Sequence, residues 1–515
     1  MIHSIFNKLI SPFCNPILLA FFISFIGFFQ IFPAILSLNY KYFIYITLLC
    51  TLQSYLILLI YNILPNNIVN KIYIYIITFL ILLMHAFTYI CNSIFNYEFN
   101  IEIAGIISET NVAEILEFCR NYITPLLILK ISIFILLSYI LLYFITKHSF
   151  NLKPTKYFVF YILVLILAIV SWCRYPSFIN YTFLGQIHTF WYVFQRTPEI
   201  IKTLTIYDLT QIPEKPKNII FIIGESHSKD HCSLYGYEKE TNPRLKALNQ
   251  IDTLLIFRNV TSPSNHTLEA FKFFMSTYSK YNNSTEWYSS PSIPEIANLL
   301  NYKTYWIANQ NKRGFCDNIQ SKFSDICHYQ IYSHPFFEKW ENKAYDEVIL
   351  PKISEISLDK TPYKFFFISL MGQHVEFYRR YPPQFNHFKI SDYNYLPGNQ
   401  REVIAQYDNA TLYNDYIISE IISYFKDEEA IIIYMPDHGV DLFAHDEYFG
   451  HGRKNIPESY LASIQIPFLI YATSKYRIRF PEKYLQLKQI TSKPFNTDDV
   501  IYLIMNIMNV KFSTN

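Results

Sequence analysis

The chain has 515 residues, of which 51% are hydrophobic and only 16% charged. Soluble domains ordinarily carry about 25% charged residues, so a disordered chain is excluded and a purely water-soluble one disfavoured. A net charge of +2, from 43 basic and 41 acidic residues, offers nucleic acid no global attraction. The 11 glycines leave little room for glycine-rich nucleotide loops, and the eight cysteines lack the dense spacing of a disulfide scaffold. The length argues for two or more domains.

Five apolar runs open the chain, at 17–36, 42–64, 72–91, 124–146 and 157–173. Each is near the ~20 residues that cross a bilayer as a helix, and five in series speak against buried core helices. The first lacks a following small-residue cleavage site and reads as an anchor. Lys130, inside the fourth run, is expected to snorkel or to face the bundle. Loop charge sets orientation: Lys8, Lys71, Lys147, Lys153 and Lys156 fall on one side. The other side holds Lys41 and loop 94–122, in which Glu98, Glu102, Glu109, Glu114 and Glu117 face Arg120. With a cytoplasmic amino terminus, everything beyond the fifth run lies outside the cytoplasm, in the periplasm of a bacterium with an outer membrane. The expected organisation is a five-helix transmembrane domain over 1–174, an interfacial helix and linker over 175–215, and a periplasmic catalytic domain over 216–515. The linker segment around Phe190 and Trp191 reads as an amphipathic helix, either on the membrane surface or packed on the soluble domain.

From residue 218 the texture changes. Runs at 218–224, 254–260, 304–308, 365–370, 430–435 and 466–472 are strand-length and mostly apolar. Continuous apolarity means both faces are covered, as in a mostly parallel sheet between helix layers. Segments 345–356 and 403–425 read as intervening helices. The expected fold is α/β, an α/β/α sandwich.

Chemistry gathers where those strands end. The first is followed by Glu225, and the run 430–435 by Pro436-Asp437-His438-Gly439. Open α/β sheets place their sites at this carboxyl edge. Glu225, Asp437 and His438 form a mixed oxygen and nitrogen set suited to Zn²⁺ or Mn²⁺. Singly, a strand-end acid is more often a helix cap and a lone histidine an ordinary surface or core residue. Thr267, in Asn265-His-Thr-Leu268, sits near the start of a helix, where the helix dipole and free amides favour an anion. A metal-coordinated threonine alkoxide is a nucleophile for phosphoryl transfer; from this segment alone, capping by Ser264, Asn265 or Thr267 is the better explanation. His374 and His451 follow strand-like runs and suit a second metal or the leaving group, or are plain loop histidines.

In order, Asn218-Ile-Ile-Phe-Ile-Ile-Gly-Glu-Ser226 and Ser233-Leu-Tyr-Gly-Tyr-Glu-Lys-Glu-Thr-Asn-Pro243 resemble the bacterial phosphoethanolamine transferases of the alkaline phosphatase/sulfatase superfamily. The resemblance covers essentially the whole chain. It implies transfer of phosphoethanolamine from phosphatidylethanolamine to lipopolysaccharide through a phosphoethanolamine-threonine intermediate at a zinc site. Carried over by motif, Glu225, Thr267, Asp437 and His438 are the zinc set, with Thr267 the nucleophile. His374 and His451 face the substrate phosphate or a further zinc, and Asn309 and Arg313 lie near the headgroup. Thr110 and Glu114 match the loop after the third span that helps bind the donor, whereas Ile106 stands where some relatives have an asparagine. The segment around Thr267 is more similar to relatives acting on core heptose than to those acting on lipid A phosphates. A sulfatase would need cysteine or serine where Thr267 stands. A phosphoglycerol transferase, or a phosphodiesterase or phosphatase of the same superfamily, is the alternative. Cys316 and Cys327 are spaced to pair in an oxidising compartment or to remain buried thiols.

Overall fold

The computed structural model describes residues 67–95, 101–110, 112–147 and 214–510, except 251–252, 280–285, 313–318, 335–343, 399 and 446, with isolated positions from 53 to 64 and from 166 to 191. The chain divides into two compact units, Met1–Ser108 with Phe118–Arg196, and Glu109–Glu117 with Thr197–Asn515.

In the first unit, the third apolar run becomes the helix Asn67–Phe95, within which Ile72–Cys91 is long and apolar enough to cross a membrane. Ile72, Ile76, Phe79 and Leu83, spaced three and four apart, leave one face of it exposed and wholly apolar. The fourth run is the helix Pro125–Lys147. Pro125 suits its first turn, and the residue before a proline is pushed out of the helical region. Thr124 therefore breaks the chain, and its hydroxyl caps the new helix by accepting from the Leu127 amide at 3.2 Å. The stretches Ile115–Tyr122 and Pro125–Ile140 consequently meet at a 95° bend. Among the described residues one helix is long and apolar enough to cross a membrane, or two if the bent pair is one span. The first, second and fifth runs, and most of the linker 175–215, lie outside the described residues.

The second unit is built on a seven-stranded sheet. Its strands are β1 (Asn218–Gly224), β2 (Leu254–Phe257), β4 (Lys303–Asn311), β5 (Tyr329–His334), β6 (Lys364–Ser369), β7 (Ala430–Pro436) and β10 (Phe468–Ala472); short strands β3 (Asn259–Thr261), β8 (Asp441–Leu442), β9 (Phe449–Gly450) and β11 (Pro494–Asn496) lie apart. The order is β2-β10-β7-β1-β6-β4-β5. Within it β10 alone runs against the direction of the other six strands. All seven residues of β1 are buried: Ile219, Phe221 and Ile223 enter one core, Ile220 and Ile222 the other. That two-sided burial is what continuous apolarity encodes.

The run 254–260 is two strands, not one. At Arg258 the chain leaves the sheet, its amide donating to Thr491 O at 2.8 Å, and β3 pairs with β11 instead. The expected helix over 345–356 is a 3₁₀ turn, Asp346–Ile349, followed by the helix Leu350–Ser357. The expected helix over 403–425 is Gln400–Phe425. Cys327 is a buried free thiol, while Cys316 lies outside the described residues.

Candidate active site and metal centre

β1 and β7 are paired in parallel, so Gly224 and Pro436 end side by side. The two turns that follow are tied together: the Asp437 amide donates to Gly224 O at 3.1 Å, and the Ser226 amide to Asp437 Oδ1 at 3.2 Å. Glu225, Asp437 and His438 are thereby brought into one buried group, with ligand atoms within 4.8 Å of one another. Among the described residues this is the one group of three such side chains able to hold a metal.

The donor set fits a cation. Asp437 Oδ1 is occupied by the amides of Ser226 and His438, but Oδ2 is buried without a hydrogen bond. His438 Nδ1 lies 2.7 Å from Gly439 O, which makes it the donor and leaves Nε2 with its lone pair. That Nε2 stands 3.5 Å from both Glu225 Oε1 and Asp437 Oδ2. A bare carboxylate oxygen without a partner is costly to bury, and a metal ion would satisfy it.

Thr267 completes the group. It is the first residue of the helix Thr267–Met275, whose cap position is His266, so Thr267 is not the cap that its segment alone suggested. Its Oγ1 lies 3.4 Å from Glu225 Oε2 and 3.4 Å from His438 Nε2. No side chain caps the helix start, which leaves the first-turn amides and the dipole directed at the same place.

One stretch of main chain braces these turns. Running into β10, it presents Ser463 O to the Gly439 amide (2.8 Å), Ile464 O to the Ser262 amide (2.8 Å) and Gln465 O to the Lys229 amide (3.2 Å). Gly439 is required there, since a Cβ would stand 2.9 Å from Ala462 O. Ser262 adds a side-chain tie, donating to Asp437 O at 2.6 Å.

Two further histidines pack beside the group. The His451 ring is 4.9 Å from that of His438 and 4.5 Å from that of His266. His451 Nδ1 donates to Asn265 O at 2.7 Å, which leaves Nε2 as the acceptor. Burial, reinforced by His438, drives its pKa down to about 3, so the ring is neutral at ordinary pH. Burial likewise holds His266 well below its ordinary value.

His374 occupies the turn after β6. Gln373 N donates to Glu225 O at 2.9 Å, and Met371 N and Gly372 N donate to the Asp346 carboxylate at 2.8 and 3.0 Å. Burial pushes the Asp346 pKa up, and those same hydrogen bonds oppose the rise. Asn309 reaches the site only through this acid. It is buried, donates to Ala344 O and Asp346 Oδ1, and accepts from Ser333 Oγ at 2.6 Å. In this structure its side chain braces the start of the His374 turn through Asp346.

Gly372 has φ +49°, and a Cβ there would stand 2.9 Å from the Glu225 backbone N and O. Gly372→Ala should therefore displace the Glu225 ligand and weaken metal binding by about 10–100-fold with secondary structure unchanged. Metal titration followed by circular dichroism measures both.

The remaining expected residues are less defined. Thr110 stands half-buried at the break between helices Ile101–Glu109 and Val112–Tyr122. The side chain of Glu114 and all of Arg313 lie outside the described residues. The sequence reading passed over His266, Asp346 and Arg380. Only His266 had a signal, its adjacency to Thr267.

A family model described as Sulfatase matches residues 217–510, a stretch holding the whole sheet, the ligand turns and Thr267. The chain belongs to the sulfatase family. Within it, the chain is similar to phosphoethanolamine transferase EptC of Escherichia coli (strain K12), 29% identical over 280 residues, 53% of this chain and 48% of that protein. It is also similar to the Kdo(2)-lipid A phosphoethanolamine 7''-transferase of the same strain, 26% identical over 262 residues, 50% of this chain and 45% of that protein. The chain thus spans about half the length of the curated relatives it matches. Solved structures that share its fold include two phosphoethanolamine transferases. The zinc complex of the C-terminal periplasmic domain of EcEptC from Escherichia coli has a TM-score of 0.53 at 24% identity, covering 59% of this chain and 85% of that one. The integral membrane lipooligosaccharide phosphoethanolamine transferase A (EptA) from Neisseria meningitidis has a TM-score of 0.66 at 18% identity, covering 97% and 95%.

Proposed function

We propose that this sulfatase-family chain moves phosphoethanolamine from phosphatidylethanolamine to lipopolysaccharide through a covalent ester on Thr267. The observation that carries this is the Thr267 hydroxyl at a helix start, within 3.4 Å of Glu225 and His438, beside an Asp437 oxygen that lacks a partner. The phosphoethanolamine transferases among its relatives support the choice of group transferred.

Glu225, Thr267, Asp437 and His438 would hold zinc, which supplies a lowered hydroxyl pKa and stabilises charge on the phosphoryl oxygens. Thr267 Oγ1 forms a bond to phosphorus as the bond from phosphorus to the diacylglycerol oxygen breaks. The amides at the start of Thr267–Met275 hold the phosphoryl anion. The departing oxygen takes up a proton; in the second half, the acceptor hydroxyl gives one up as its oxygen replaces Thr267 on phosphorus. His451, neutral and with Nε2 left as an acceptor, would be a ligand for a further zinc facing the substrate phosphate. His374, with its side chain 26% exposed, exchanges the proton with the departing and arriving oxygens. Thr110, Glu114 and Arg313 take the donor headgroup, and Asn309 supports the His374 turn through Asp346.

The donor is a bilayer lipid, so anchoring by five spans confines the search to the membrane plane. We place the chain in the inner membrane of a bacterium with an outer membrane, its catalytic domain in the periplasm and core heptose as acceptor. Mass spectrometry of lipopolysaccharide from cells with and without the gene tests the reading. The expected result is one added phosphoethanolamine on core fragments. Addition on lipid A would move the acceptor, and identical spectra would refute transfer to lipopolysaccharide.

A further inference from the structure

The turn that carries His374 is held at two ends. Asp346 and Glu225 fix its start, as described above. Its far end is fixed by Arg380, whose Nε donates to His374 O at 2.9 Å and Val375 O at 3.2 Å, and whose Nη2 donates to Val375 O and to Glu117 Oε2, the latter at 2.8 Å. Glu117 comes from the segment Glu109–Glu117, which belongs to the catalytic unit although 263 positions separate it from Arg380. Both side chains are 2% exposed. The same Glu117 Oε2 stands 3.6 Å from His374 Nδ1, a ring nitrogen that is itself buried and makes no hydrogen bond.

A buried ion pair is a poor source of stability, because removing two charges from water costs much of what their attraction returns. Its value here is geometric. An arginine fork gives directional contacts that a lysine would not, and these are aimed at the two carbonyls that follow the His374 α-carbon, those of His374 and Val375. The carboxylate stands against the ring on its Nδ1 edge, which leaves the Nε2 edge as the one not facing Glu117.

We propose that Glu117 is a positioning residue for His374: through Arg380 it sets the backbone of the turn, and through its own carboxylate it sets the rotation of the ring. The inference rests on the reading of His374 as the proton-exchanging group, and extends it by making a residue from between the third and fourth apolar runs part of the catalytic unit's working geometry.

The test uses the full chain in detergent micelles with phosphatidylethanolamine. Three proteins are compared with wild type: Glu117→Asp, which keeps the charge but draws the carboxylate back by one methylene; Glu117→Gln; and the double variant Glu117→Gln with Arg380→Met, which leaves no unpaired buried charge. Two readings are taken, transfer kinetics and the rate at which diethyl pyrocarbonate modifies His374, followed by peptide mass spectrometry with His451 as internal reference. Glu117→Asp should lower kcat by about a hundredfold, the scale of a misplaced group, with KM for the lipid unchanged. In all three variants His374 should be modified faster relative to His451. The double variant should recover the thermal midpoint lost by Glu117→Gln without recovering kcat. Recovery of both, or a His374 modification rate that stays at the wild-type value in every variant, would show the pair to be purely structural and overturn the proposal. If wild type itself transfers nothing, the reading of function falls, while the His374 modification rates still decide this one.

Discussion

Thr267→Ala is expected to lower transfer by on the order of 10⁴-fold or more, because it removes the atom that bonds to phosphorus. Intact-protein mass after incubation with phosphatidylethanolamine should show an adduct of one phosphoethanolamine on wild type and none on the variant. Thr267→Ser keeps the oxygen at the same helix position and should retain both the adduct and part of the turnover. The fold should survive in both, since Thr267 is a half-buried first-turn residue whose Oγ1 contacts are 3.4 Å long. An adduct that persists in Thr267→Ala would transfer the role to Ser262 or Ser264. For Ser262 the structure opposes that outcome, because its Oγ is already committed to Asp437 O and Ser264 O.

Asp437→Ala is the second large effect. The side chain does two things: Oδ1 ties the Ser226 and His438 amides, and Oδ2 waits unpartnered in the cluster. Its loss should abolish metal retention after dialysis and, with it, transfer. Asp437→Asn separates the two duties. The amide oxygen can still accept from the backbone, but the charge is gone. Metal affinity should fall by at least about 10–100-fold while the thermal midpoint of the metal-free protein changes little. Inductively coupled plasma analysis of the purified variants gives the metal content directly. Full occupancy in Asp437→Ala would mean that the cluster is not the metal centre.

The parts of this site that the sequence discloses are those set by sheet geometry. Glu225 and Asp437-His438 are legible because each directly follows a strand whose unbroken apolarity announces that it is central and parallel, and central parallel strands end at the same edge. Thr267 is legible only with those ligands in mind, since its segment alone reads better as a cap until His266 is found at that position. What escapes is what depends on distant partners. β5 reads Tyr-Gln-Ile-Tyr-Ser-His and carries too many polar residues to look like a strand; it is tolerated because it lies at the sheet edge. The reversal of β10 leaves no trace in its composition. Asn309 sits in a motif that points to a ligand, yet its amide is used up by Asp346 and Ala344, residues that nothing local connects to it. Arg380 in Tyr378-Arg-Arg-Tyr381 looks like surface charge until Glu117 is found against it.

The stretch leading into β10 has a consequence of another kind. It reaches the ligand turns through the carbonyls of Ser463, Ile464 and Gln465, atoms that every amino acid possesses. Evolution can therefore rewrite the half-buried Ile464 and Gln465 more freely than the fully buried Ser463, whose hydroxyl donates to Tyr460 O, provided that the spacing between the helix Pro457–Ile464 and β10 is kept to the residue. A change of length there would shift the register of three turns together and disable the centre as thoroughly as losing a ligand. The region would then look unremarkable in a comparison of residue identities and show its importance only as a stretch in which insertions and deletions do not survive.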